Sequence, residues 1–228
     1  MDFVEYSAIL KEFKSGSFDS ISDDYDEICR AQDLLIAELT SKGAEIKGWK
    51  VVDDSGVLIL SPIFDFQLFK SHDVSLSQKE LLGIEVEICY QCCVPKSISD
   101  VKQSTDFCQP LASIEILRPK INDSSCNACD FYFNYGISVS SHAVSEDFKL
   151  ENGNAKEITH YLGCNSDFFE EKKDILKKGV LECIRRGYVD DEYFFMTGSL
   201  NGLIATNISI GSNDVIHKGE RLVSLEIL

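Results

Sequence analysis

The run Gly83-Ile84-Glu85-Val86-Glu87-Ile88-Cys89-Tyr90 decides how the rest of the chain is read. Ile84, Val86 and Ile88 alternate with Glu85, Glu87 and Cys89, which is the two-residue period of a β-strand. On such a strand both carboxylates point to one face. Further along, Ser113-Ile114-Glu115-Ile116-Leu117 sets another glutamate in an apolar, β-branched run. A carboxylate buried alone is costly, and several buried together repel. If the three glutamates share a buried site, a cation belongs between them. Oxygen-only ligands suit a hard divalent ion, Mg²⁺ or Mn²⁺ before Ca²⁺. The same pattern also fits edge strands whose glutamates face water, and spacing alone does not choose between the two.

The surrounding composition narrows the classes of function. A chain of 228 residues with 44% hydrophobic content has enough apolar material for one sizeable core. Its formal charge is -16, and its basic residues form no cluster larger than adjacent pairs such as Lys172-Lys173 and Lys177-Lys178. Nucleic acid and anionic membranes, which need a positive footprint, are therefore not expected as partners. The N-terminus is acidic and lacks an apolar segment, and no apolar run approaches the length of a bilayer span, so a cytoplasmic protein is expected. Nine cysteines, an odd number, are then reduced thiols. Cys89 with Cys92 and Cys126 with Cys129 have Cys-x-x-Cys spacing, enough ligands for a zinc site. Cys89 lies within a strand pattern, however, and neither pair carries knuckle residues, so core packing is the preferred reading.

Taken in order, residues 2–14 read as an amphipathic helix broken at Lys14-Ser15-Gly16-Ser17. A second helix starts from Ser20, Ser22 or Asp23, shows Tyr25, Ile28, Leu35 and Leu39 on one face, and closes at Gly43. Residues 1–45 thus form a helical cap, and residues 46–228 a β-rich domain, the two expected to be one compact unit. Ile46 to Val52 is a strand on which Lys50 is flanked by apolar residues. The position suits either a buried acid–base group or a surface lysine. Val57 to Leu60 is the next strand, closed at Ser61-Pro62, and residues 66–82 are a polar excursion. Residues 129–140, rich in aromatics, are a strand. Asn152-Gly153 marks a hairpin. Asp167 caps a helix from Phe168 to Arg186, stopped by Gly187. Glu192 to Leu200, Ala205 to Ile210 and Arg221 to Leu228 are strands. Many strands and few helices, without βαβ alternation, indicate a mixed, β-rich α+β domain.

The order of Gly48-Trp49-Lys50-Val51, Gly83 to Ile88, Ser113-Ile114-Glu115-Ile116, Asn152-Gly153, Thr197-Gly198-Ser199-Leu200 and Lys218-Gly219-Glu220-Arg221-Leu222 resembles the 2-keto-4-pentenoate hydratase / 2-oxo-3-hexenedioate decarboxylase family of the fumarylacetoacetate hydrolase superfamily. The resemblance spans nearly the whole chain and includes Ala31-Gln32. It implies a rolled, mixed β-sheet of the fumarylacetoacetate hydrolase C-terminal-domain type with N-terminal helices against it. Glu85, Glu87 and Glu115 match the metal ligands, and Mg²⁺ or Mn²⁺ is the implied cofactor. Lys50 and Asp130 match catalytic positions, and Thr197, Gly198 and Ser199 match a substrate-lining segment. The implied activity is a metal-dependent hydratase or decarboxylase acting on a small 2-oxo or 2-hydroxydienoic acid through a metal-chelated enolate. The family also tends to assemble into homo-oligomers.

Three departures stand out. Aromatics follow Asp130, at Phe131, Tyr132 and Phe133, where the family has asparagine and small residues. Val52-Asp53-Asp54 replaces its usual Gly and Thr/Ser, and the chain stops at Leu228, where the family continues into a further strand. Beside the enzyme stands a second reading, a catalytically degenerate member that binds a ligand or a protein. A third is a zinc-stapled interaction domain.

Overall fold

The protein is described from a computed structural model. The described residues are 1–17, 25–54, 57–70, 74–119, 121, 131–152, 157–161, 164–200, 202–205 and 210–228. Helix α1 spans Phe3–Ser17 and α2 spans Tyr25–Ser41. Then come β1 (Ile46–Asp54), β2 (Val57–Phe64), β3 (Leu68–Lys70), β4 (Val74–Leu76) and β5 (Gly83–Cys93). Helix α3 (Val101–Asp106) leads to β6 (Pro110–Leu117), β7 (Asn134–Ala143), β8 (Phe148–Asn152) and β9 (Glu157–Tyr161). Helix α4 (Ser166–Arg186) precedes β10 (Glu192–Ser199), β11 (Ile204–Ala205), β12 (Gly211–His217) and β13 (Glu220–Ile227).

Two sheets form. The larger runs β2-β1-β10-β5-β6-β7-β3, with β11 also pairing β5. The smaller runs β4-β13-β12-β8-β9. The pairing is mixed: β10 is parallel to β1 and antiparallel to β5. This is the α+β, β-rich architecture expected from the segment order. The alternation of β5 divides the large sheet into two faces. Ile84, Val86, Ile88 and Tyr90 are fully buried in the main core, with Trp49, Phe195 and Leu60 from neighbouring strands. That face is covered by α3, α4 and the second sheet through β13. At Gly179 of α4 a Cβ would lie 2.8 Å from Val51 and 3.2 Å from Phe195, so the glycine lets the helix sit close to the sheet. α2 is tied to α4 by Asp33, which pairs with the buried Arg186 and accepts a 2.8 Å hydrogen bond from Tyr188.

Several expectations need correction. α1 runs through Gly16 to Ser17 instead of breaking at Lys14. β2 continues past Pro62, which is allowed because β2 is an edge strand and proline there need not donate to a neighbour. The excursion at 66–82 contributes β3 and β4, one edge of each sheet. Phe131, Tyr132 and Phe133 are not strand: their φ angles of 45, 50 and 65° make a left-handed turn before β7. Asn165, not Asp167, caps α4, accepting 3.0 Å from the Phe168 N–H. Residues 211–217, not among the expected strands, form β12, which joins β13 through a turn at Lys218-Gly219 between His217 and Glu220. The β8–β9 hairpin exists, but Asn152 pairs with Glu157, so its connection is residues 153–156 and not the two residues Asn-Gly. That connection, the caps proposed at Ser20, Ser22 and Asp23, and Asp130 lie outside the described residues. Gly43 and Gly187, at φ 93 and 84°, close α2 and α4 as expected.

Candidate metal centre

The other face of β5 carries Glu85, Glu87 and Cys89. Antiparallel pairing with β6 sets Glu85 directly opposite Glu115 and Glu87 opposite Ser113. One carboxylate oxygen from each of Glu85, Glu87 and Glu115 lies within 4.8 Å of the others. Glu87 and Glu115 are wholly or almost wholly buried, while Glu85 is half-buried and marks the side open to solvent. The readings of a wet edge strand therefore fail: β5 and β6 are both interior strands of the sheet.

Lys50 completes the cluster. Its Nζ lies 2.9 Å from Glu115 Oε1, and only 13% of its side chain is exposed. Lys50 belongs to β1 and Glu115 to β6, with β10 and β5 between them. In a flat sheet those strands would stand roughly 14 Å apart. The contact requires the sheet to curl with this face on the inside. Curling thus turns four residues from three strands into one site.

The electrostatics follow from crowding. Burial raises the Glu87 carboxyl well above the usual carboxylate range, and the Glu115 charge pushes it the same way. Glu85 is raised by burial and by Glu115, against the opposing pull of Lys50 and the Ser199 hydroxyl. Burial works against the Lys50 charge, but Glu115 and Glu87 outweigh it and Lys50 is held above its usual value. One ammonium does not satisfy three acids. Glu87 Oε1 and Glu115 Oε2 are buried and accept no hydrogen bond from the described residues. Buried acceptors of this kind are normally paired. All-oxygen donors left without hydrogens fit a hard divalent cation.

The segment Thr197-Gly198-Ser199 does lie at this cluster, though its polar groups are engaged by the protein itself. The Thr197 hydroxyl donates 2.8 Å to the Ile88 carbonyl. The Gly198 N–H donates 3.3 Å to Glu87 Oε2. The Ser199 hydroxyl bonds Glu85 and accepts 2.8 Å from the Gly202 N–H. Cys89 and Cys92 do not share a zinc site. Three residues apart on a strand, they point to opposite faces, and each is buried in a different apolar cluster. Cys126 and Cys129 are outside the described residues. Sequence reasoning missed Lys172 of α4, whose Nζ reaches the Thr197 and Gly198 carbonyls at 3.4 Å each. Its only signal was membership of a surface-like basic pair.

No family model matches the chain, and no curated protein is similar to it in sequence. Solved structures do match. The chain is similar to 4-oxalocrotonate decarboxylase from Pseudomonas putida G7 complexed with calcium and acetate, with a TM-score of 0.70 at 13% identity. It is also similar to the same enzyme complexed with magnesium and adipate, with a TM-score of 0.68 at 10% identity. Both comparisons cover 100% of this chain and 99% of the other. Among the described residues no helix is long and apolar enough to cross a membrane. At this identity the likeness speaks for architecture alone, and over its full length the chain has the fold of 4-oxalocrotonate decarboxylase.

Proposed function

We propose that this protein is a divalent-metal-dependent enzyme of the fumarylacetoacetate hydrolase superfamily that processes a small 2-oxo acid as a hydratase or decarboxylase. The observation that carries the reading is the buried triad of Glu85, Glu87 and Glu115, with two carboxylate oxygens lacking any donor. A chain that did no metal chemistry would bear the cost of this arrangement without return. Magnesium and calcium in the structural neighbours support a divalent ion here, and acetate and adipate support a small carboxylic acid as its ligand. Mg²⁺ or Mn²⁺ is the preferred ion because such sites keep open positions for substrate oxygens.

In this reading Glu85, Glu87 and Glu115 hold the cation. When bound, it supplies Lewis acidity to the oxygens of a chelating 2-oxo acid. Lys50, kept protonated by its carboxylate neighbours, is a donor: it orients an anionic substrate oxygen or delivers a proton from Nζ. Half-buried Glu85 stands where the substrate enters.

Thermal melting with Mn²⁺, with and without oxalate, tests the reading. Oxalate mimics the chelating end of a 2-oxo acid. At a hundredfold excess over its dissociation constant it stabilises by roughly 2.7 kcal/mol, a rise of about 5–10 °C at this chain length. A shift that needs both components is the expected result, and no shift with either removes the site. The degenerate, ligand-binding alternative draws on the turn at Phe131–Phe133. There the Phe131 carbonyl accepts from the Ser61 hydroxyl, and Tyr132 packs on Ile59 and Val52, on the same face as Lys50. An oxalate shift without turnover of any 2-oxo acid would favour it.

A further inference from the structure

Between Met196, level with Cys89, and Ser199, level with Glu87, β10 spends three residues where β5 spends two. The extra residue is a β-bulge, and it falls beside the carboxylate cluster. A bulge takes backbone groups out of the ladder. Here Gly198, at φ 93°, turns its N–H away from β5's backbone and onto the Glu87 carboxylate at 3.3 Å. The carbonyls of Thr197 and Gly198 are taken up on the opposite face by Lys172, at 3.4 Å each. Lys172 is itself placed by Phe168, one helical turn earlier on α4, whose ring centre lies 5.8 Å from Nζ.

The Thr197 carbonyl and the Gly198 N–H belong to one trans peptide, whose plane is rigid and whose C=O and N–H point in opposite directions. A cation holding the carbonyl on the helix side therefore aims the N–H at the carboxylate side. It also polarises the amide, which strengthens its donation to Glu87. Among the described residues the Gly198 N–H is the backbone donor to Glu87, whose other close polar neighbour is the Glu115 carboxyl. We infer that Lys172 is a positioning residue of the metal centre, acting through the Thr197–Gly198 peptide to fix the Glu87 carboxylate. The inference rests on the metal-centre reading, and it assigns a role in that centre to a residue on the far side of the sheet.

The test compares the full-length protein with Lys172→Met, which removes the donors, and Lys172→Arg, which restores them. Two quantities are read: the Mn²⁺ dissociation constant by calorimetry, and the hydrogen-exchange rate of the Gly198 amide in metal-free protein by NMR. Lys172→Met is expected to weaken Mn²⁺ binding by about 10–100-fold, the range for groups that orient metal ligands. It is also expected to speed Gly198 exchange by roughly tenfold or more, with Lys172→Arg close to wild type in both. Lys172 is only partly buried, so the fold should tolerate both changes. Should Lys172→Met disturb folding, Lys172→Leu, which also lacks a donor, takes its place. Wild-type Mn²⁺ affinity in Lys172→Met overturns the inference while leaving the metal centre standing. If the wild type binds no Mn²⁺, the metal reading fails by itself, and with it the role in metal positioning. The exchange rate then still decides whether Lys172 sets the peptide, and an unchanged rate denies even that.

Discussion

In the five-stranded sheet Asn213 is wholly buried, yet it is provided for. Its Oδ1 accepts 2.8 Å from Asn152 Nδ2, and its own Nδ2 donates 2.9 Å to the Gly211 carbonyl. Next to it, Asp214 accepts from the Ser212 and Ser224 hydroxyls and pairs with Arg221. In the eight-stranded sheet Glu87 is buried to the same degree, but one of its oxygens has no donor and its nearest charged neighbours include other acids. Burial of a polar side chain is thus not what marks a site. The Asn213 network is closed within the protein and works as structure. The carboxylate cluster is open by two acceptors, and only something from outside closes it.

The comparison breaks most directly at Glu87. Glu87→Gln should weaken Mn²⁺ binding by on the order of 100-fold or more, at least the upper end of the range for outer-shell groups. Calorimetry with an unchanged dissociation constant would put Glu87 in the same class as Asn213. Next in size is the reversal in stability. Asn213→Ala strands the buried partners it serves and should cost about 2–4 kcal/mol in urea unfolding. Glu87→Gln in metal-free protein should cost nothing or stabilise, because it removes a charge that is buried and repelled.

A smaller effect is the pH dependence. Glu85 and Glu87 hold protons more tightly folded than unfolded. Their contribution is fully present below the ordinary carboxyl value near 4.5 and is lost as pH rises through the raised folded values. Metal-free protein should therefore melt higher at pH 5 than at pH 8, by an amount on the order of 1 kcal/mol. The difference should shrink in Glu87→Gln. Saturating Mn²⁺ should reverse it, since cation and proton compete for the same oxygens. A dependence equal in wild type and Glu87→Gln would assign it to the general acidity of the chain instead. The smallest effect sharpens the other side. Arg221 is 59% exposed, and Asp214 keeps two hydroxyl donors without it. Arg221→Ala should cost less than about 0.5 kcal/mol in the same urea experiment.

Much of this was legible in the chain. The alternation at Gly83–Tyr90 placed Glu85 and Glu87 on one face, since side chains on a strand have no other choice. Helix ends at Gly43 and Gly187 were readable because few residues other than glycine take a positive φ there. The misreadings share a cause. Pro62 looked like a stop because its tolerance depends on β2 being an edge strand. Phe131 to Phe133 looked like a strand because aromatics favour one, whereas the packing of Phe131 against Phe64, with ring centres 6.2 Å apart, and the Ser61 hydrogen bond hold a left-handed turn. Both depend on neighbours far away in sequence.

By itself, then, the sequence determined which residues face together along each strand, and that acids stand in apolar runs. Those are local consequences of backbone period and composition. Which strands lie side by side was decided only in three dimensions. The insertion of β10 between β1 and β5, the register that sets Glu85 against Glu115, and the curl that brings Lys50 to 2.9 Å from Glu115 are all long-range pairings. So is the bulge that hands the Thr197–Gly198 peptide to Lys172. A strand's period repeats along its own residues, but register and curvature arise between chain segments that no local pattern relates.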